Sequence, residues 1–269
     1  MSWTVIVVAL CLGAVGGAQA QLPAEASIEH IDPDVKACLS RTMPKESLRA
    51  TISLRVFDDS GEVSKFLANL YWKSFDDGRS KALVRFLEPP HKSGMALLIE
   101  ESSNREAEPE MTMYLPELRT TRRLVGTALR GSMFGTGFSY EDFAQIQGVA
   151  RDHDMRLLED QELDERSHYV IETSPKVEHS AYDRIVTYVD QQWCLPTMSK
   201  FSDRSGSVLK ELRVERSEVH EIGGRQIPHV VTLHDHSRGA RTEVVVEEIE
   251  VDANLGDLMF TRGHLSRGR

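Results

Sequence analysis

The chain has 269 residues, enough for one large all-β domain or two small ones. Hydrophobic residues make up 40% and charged residues 28%, a globular composition that excludes disorder through lack of core-forming side chains. A net charge of −10, a pI near 5.5 and no dominant basic patch argue against nucleic acid as a partner.

Residues 1–20, MSWTVIVVALCLGAVGGAQA, carry no charged side chain. An apolar run from Val5 to Val15 leads into small residues and Ala18-Gln19-Ala20, the pattern of a signal peptide cleaved after Ala20. The run is too short for a comfortable membrane span, and no other segment is long and apolar enough. Export would leave residues 21–269 as one domain, since no linker, repeat or low-complexity segment divides them. Cleavage removes Cys11 and leaves Cys38 and Cys194. In an oxidising compartment these two can pair, or they can serve as two small buried thiols; the sequence leaves both open. Neither lies in a C-x-x-C, so redox chemistry and zinc are unsupported.

Asp34 to Arg41 can form a short helix, stopped near Pro44. From Ser47 the apolar period becomes two. Ala50, Ile52, Leu54 and Val56 alternate with polar residues, then Phe66, Ala68, Leu70 and Trp72, then Ala82, Val84 and Phe86. Met95, Leu97 and Ile99 follow, then Met111, Met113 and Leu115, with Gly, Asp and Pro turns between the runs. Beyond residue 150, strands are expected over 155–162, 168–173, 182–190, 197–203, 208–220, 226–236 and 242–252. A meander of this length cannot stay flat, so it must curl into a barrel or half-barrel with a covered apolar face.

Between the halves lies RGSMFGTGFSYEDF, residues 130–143. Ser139 is a good N-cap, with Asp142 three residues on in the capping-box position. A helix is therefore expected near 139–147. Its acidic first turn would repel phosphate, which argues against a phosphate loop despite Gly131, Gly135 and Gly137. Met133, Phe134 and Phe138 read instead as apolar side chains on a mobile hinge.

PPHKSGMALLIEE, MYLPELRTTRRLVG and RGSMFGTGFSYEDF together resemble the LolA-like outer-membrane lipoprotein-sorting proteins, in the branch associated with RND-type (MMPL-like) transporters. VEEIEVDANLGDLMFTRGHL resembles that family's closing segment, and the likeness covers about residues 32–266. One departure is visible: an acidic residue is expected where Gly137 stands, so no polar role carries over to that position. The resemblance implies a mainly β, curved antiparallel half-barrel whose short helices cover a concave apolar face. It also implies a periplasmic carrier of lipid or lipoprotein acyl chains, bound toward the outer membrane, with an RND/MMPL-type inner-membrane transporter as partner and only transient contact with a membrane surface.

On this reading the cavity lining is Leu54, Val56, Leu70, Trp72, Val84, Phe86, Leu97, Ile99, Met111, Met113 and Leu115. Each taken alone reads as plain core; the set and the resemblance carry the cavity. Methionines would adapt to chains of varied shape. Gly131, Met133, Phe134, Gly135 and Phe138 form the expected gate. Arg119, Arg122 and Arg123 are candidates for contact with headgroups or a transporter, or form a solvated strand edge. His234-Asp235-His236 puts two imidazoles on one strand face but offers no third metal ligand. No G-x-S-x-G and no catalytic constellation is present, so neither an enzyme nor a cofactor is expected. The competing reading is a structural or adaptor subunit of an envelope transporter complex, its cavity filled by its own side chains.

Overall fold

The computed structural model describes residues 32–41, 44–102, 109–146, 153–175 and 179–267. The expected signal peptide and Cys11 lie outside the described residues. Six strands come first: β1 (Ser47–Asp58), β2 (Gly61–Ser74), β3 (Ser80–Glu88), β4 (Ala96–Glu100), β5 (Glu110–Leu115) and β6 (Thr120–Leu124). After a crossover, the chain continues with β7 (His153–Leu163), β8 (Arg166–Pro175), β9 (Arg184–Asp190), β10 (Leu195–Ser202) and β11 (Val208–Val214). A separate hairpin, β12 (Val219–Ile222) and β13 (Arg225–Pro228), precedes β14 (Val230–Asp235) and β15 (Ala240–Val251).

Among the described residues, thirteen of these strands form one antiparallel sheet in the order β6-β5-β4-β3-β2-β1-β15-β14-β11-β10-β9-β8-β7. The first half meanders outward from the middle to the β6 edge. The crossover carries the chain to the β7 edge, and the second half meanders back until β15 pairs with β1. The sheet therefore curves without closing, and β6 and β7 remain its edges.

Strict alternation gives the sheet one apolar side. A row of directly paired residues runs Leu48, Trp72, Ala82, Ile99, Met111, Leu124 from β1 to β6. On the other half, Val56, Thr242, Leu233, Leu212, Ser199, Thr187 and Ile171 pair in turn from β1 to β8. The first row, with Val56, Leu233 and Leu212 of the second, belongs to the main hydrophobic core, while Ile171 belongs to a smaller cluster with Val35 and Val189. A smaller core, Leu83, Ala96, Leu98, Ala253, Leu255, Phe260 and Leu265, lies on the opposite side of β3 and β4. There the chain end, with the short helix α3 (Arg262–Leu265), folds over the outer face.

The helix expected near 34–41 is α1 (Pro33–Arg41), and the one expected near 139–147 is α2 (Tyr140–Ile146). Val35 and Leu39 of α1 pack on Ile171 and Val189, which belong to the inward face of β8 and β9. Both helices thus cover the concave side. Two strand expectations need correction, and one strand was not expected. Residues 208–220 and 226–236 are each broken, because a 3-10 turn at Arg216–Glu218 and the Pro228–His229 step lead the β12–β13 hairpin away from the sheet. β6, whose only large apolar residue is Leu124, is an additional strand.

Candidate functional site

The floor of the concave side is built from the expected lining. Leu54, Val56, Leu70, Trp72, Val84, Phe86, Leu97, Ile99 and Met111 are all buried in one cluster, and Met113 and Leu115 pack against it half-buried. Register explains the grouping. Trp72, Ile99 and Met111 share one row, and Leu70, Val84, Leu97 and Met113 share the next. Adjacent inward side chains stand close enough to form a continuous apolar floor.

The crossover is the roof. Ser132 and Ser139 bridge, Met133 N–H donates to the Phe138 carbonyl (2.8 Å), and Tyr140 N–H donates to the Gly131 carbonyl (3.2 Å). The tip is a tight turn in which Thr136 N–H donates to the Met133 carbonyl (3.1 Å). Its central residues, Phe134 (φ 53) and Gly135 (φ 93), both have positive φ, as a type I′ turn requires. Glycine suits this freely, whereas a phenylalanine is held there against its backbone preference. What holds it is aromatic packing: the Phe134 ring lies edge-on to Phe86 (5.2 Å) and Tyr140 (5.8 Å), and Phe86 lies edge-on to Phe66 (5.8 Å). The sequence suggests a mobile hinge carrying apolar side chains. The structure seats Met133, Phe134 and Phe138 in the core and leaves Gly131 and Gly135 exposed.

Gly137 explains why the roof sits so low. A Cβ there would lie 2.1 Å from Thr242 Oγ1 and 3.2 Å from Thr242 Cβ, so the backbone rests directly on β15. The position where the resemblance suggests an acidic residue has no room for one.

A buried polar cluster fastens the roof to the sheet. Ser139 and Asp142 cap α2 reciprocally: Ser139 N–H donates to Asp142 Oδ2 (2.7 Å) and Asp142 N–H donates to Ser139 Oγ (3.0 Å). The same carboxylate accepts from Lys210 Nζ and from the Tyr182 hydroxyl. Lys210 also reaches the Gly137 carbonyl (3.4 Å). Burial pushes the Tyr182 hydroxyl well above its ordinary range, aided by the Asp142 charge. Glu141 accepts from Ser180 Oγ and from Ala181 N–H (3.0 Å), and burial raises its carboxyl above the usual value despite these donors. Arg130 closes the other flank by donating to the carbonyls of His179 (2.6 Å) and Ser180 (3.0 Å). Tyr182 and Lys210 were not among the sequence candidates. The signal was available for Lys210: it occupies an inward position in line with Leu212 and Val214, where a charge is out of place without a buried partner.

The remaining candidates lie elsewhere. Arg119 occupies the β5–β6 turn, and Arg122 ends the row through Leu97 and Met113 at the exposed β6 edge. Arg123 pairs with Glu110 at 3.2 Å. Such charges on an edge strand discourage pairing with another chain. Cys38 and Cys194 are joined, tying α1 to the β9–β10 turn. The His234 and His236 rings stack 6.3 Å apart, and among the described residues no three metal-ligating side chains converge.

At the rim, a half-open cleft of about 380 Å³ lies between the start of β2, the β3–β4 loop and the roof turn. Val63, Ser64, Lys65, Phe66, Pro89, His91, Lys92, Phe134 and Gly135 line it. Phe66 and Phe134 belong also to the main core, so they form the wall between cleft and interior.

A candidate outer membrane lipoprotein-sorting protein domain from Vibrio parahaemolyticus has a similar structure (TM-score 0.77, 22% identity, 87% of this chain and 97% of that one). So do a DUF1329 family protein from Desulfovibrio piger (TM-score 0.77, 20% identity, 86% and 96%) and a LolA superfamily protein from Nitrosomonas europaea (TM-score 0.64, 20% identity, 86% and 98%). No curated protein matches the chain. Residues 78–267 match the model of a family described as "Uncharacterized protein". The chain belongs to that family, and its fold is the LolA-like curved half-barrel.

Proposed function

We propose that this protein is a periplasmic carrier that shelters the acyl chain of a lipid or lipoprotein between the concave sheet and the crossover roof, on its way toward the outer membrane. The observation that carries the reading is the construction of the roof. It is one connected segment, apolar underneath, fastened by a compact polar cluster at one side rather than woven into the sheet. An acyl chain exposed to water costs about 0.8 kcal/mol per methylene, so a carrier must offer a dry face of this kind. Loading requires the roof to lift and the chain to replace Met133, Phe134 and Phe138 against the floor. Release follows from hand-off to a partner of higher affinity. An RND/MMPL-type transporter is the proposed partner, and export by the N-terminal segment supplies the location. No reaction is part of this function.

The adaptor reading draws on the same packing, because the roof already fills the concave side with the protein's own side chains. Native mass spectrometry of protein purified from its own periplasm, followed by lipid extraction, separates the two. The carrier reading predicts a co-purifying lipid near one-to-one. Lipid-free protein that also fails to take up a fluorescent fatty acid would reject it in favour of the adaptor.

A further inference from the structure

We infer that the rim cleft is the seat for the anionic end of the carried amphiphile, with Lys65 and Lys92 as its charge partners and the Phe134 ring as the threshold its chain must cross. The inference rests on the carrier reading and names the cargo class: a single- or double-chain amphiphile ending in a carboxylate or phosphate.

Charge is the first ground. The protein as a whole carries −10, yet the cleft wall presents Lys65, Lys92 and His91 and no carboxylate. Among the described residues neither Lys65 nor Lys92 forms an ion pair, although ion pairs are frequent elsewhere on this surface. Lys92 and the exposed Lys65 at the edge of this small depression complement an anion that brings its own hydrocarbon. Shape is the second ground. About 380 Å³ sits at the low end of ligand pockets, which run from about 300 to 1,000 Å³. That holds a headgroup and the first few methylenes, and leaves the rest of the chain to continue inward. Continuity is the third. The inner wall is Phe66 and Phe134, whose other contacts are the core residues Phe86 and Tyr140. Phe134 is also the residue held at φ 53 in the turn. Backbone conformations of that kind, kept by a bulky residue, concentrate at functional positions. Swinging this one ring away relieves the turn and joins the cleft to the concave floor.

The test compares cis-parinaric acid, a fluorescent fatty acid, with its methyl ester at pH 8 and low salt, using the full exported chain. The acid is expected to bind about tenfold more tightly than the ester, as two screened cation–anion contacts allow. In Lys65→Ser/Lys92→Ser the ester should bind as before while the preference for acid disappears. Lys65 is exposed and Lys92 half-buried, and unchanged ester binding demonstrates that the double variant folds. Inorganic phosphate at matched ionic strength should not displace the acid; full displacement would mark a site for free anions and overturn the inference. Equal binding of acid and ester by the wild type would overturn it while leaving the carrier reading intact. Failure of both probes to bind would overturn the carrier reading and the inference with it.

Discussion

At the scale of single residues, the closeness of the roof depends on Gly137. Its φ is ordinary, so the requirement is for space alone. Gly137→Ala should lower stability by about 1–3 kcal/mol, the usual cost of overpacking, read from the urea midpoint. Thr242 Oγ1 is buried with no hydrogen-bond partner, so Thr242→Ala should cost little and should recover much of the Gly137→Ala loss. Strict additivity of the two changes would contradict the contact. Glu141 makes a separate prediction. Burial raises its folded pKa above the ordinary 4.5, so the folded chain holds a proton that the unfolded chain has released. Its contribution is therefore fullest below pH 4.5 and is lost as pH rises through the folded value. Measured against Glu141→Gln, the wild type should gain stability as pH falls from neutral toward 4.5; a pH-independent difference would be inconsistent with that environment.

At the scale of elements, the crossover is held by its α2 end. Lys210 and Asp142 are both buried, and each is the other's charge partner. Lys210→Met should cost about 3–5 kcal/mol, and adding Asp142→Asn should cost much less than the sum of the single changes. Hydrogen exchange should place the effect in residues 131–146 before it reaches the sheet. α1 needs help of another kind. A nine-residue helix is too short to persist alone, and the Cys38–Cys194 bond spans 156 residues of sequence. Cys38→Ser/Cys194→Ser should destabilise the protein by about 2–4 kcal/mol, with a parallel fall in Tm when the wild type is reduced. Much of this architecture was legible. Alternation at Ala50–Val56, Phe66–Trp72 and Leu97–Ile99 marks both the strands and the face they bury, and the Ser139–Asp142 spacing marks the start of α2. Other parts left no local trace. The sequence of β6 is almost wholly polar because an edge strand needs little core, and the β12–β13 hairpin appears only as the tail of one apparent strand and the head of the next.

At the scale of the whole molecule, one twisted sheet too large to lie flat packs against segments drawn from three places in the chain. α1 and the crossover line the inside; residues 253–265 cover part of the outside. Which residues face inward could be read from periodicity. What lies against them could not, because that depends on contacts between distant segments, as between Gly137 and Thr242 or Lys210 and Asp142. The N-terminal apolar segment and the inward methionines and aromatics are consistent with an exported protein meeting a hydrocarbon chain. Among the described residues no helix is long and apolar enough to cross a membrane. Two of the molecule's apolar clusters lie on opposite faces of the sheet: an inner one beneath the crossover, and an outer one covered by residues 253–265. Photo-crosslinking with a diazirine-bearing fatty acid, followed by peptide mass spectrometry, distinguishes them most directly. The account predicts adducts on inward residues such as Leu70, Leu97, Ile99, Met111 and Phe134. Adducts confined to the outer cluster around Leu83, Leu98 and Phe260, or spread evenly over the surface, would contradict it.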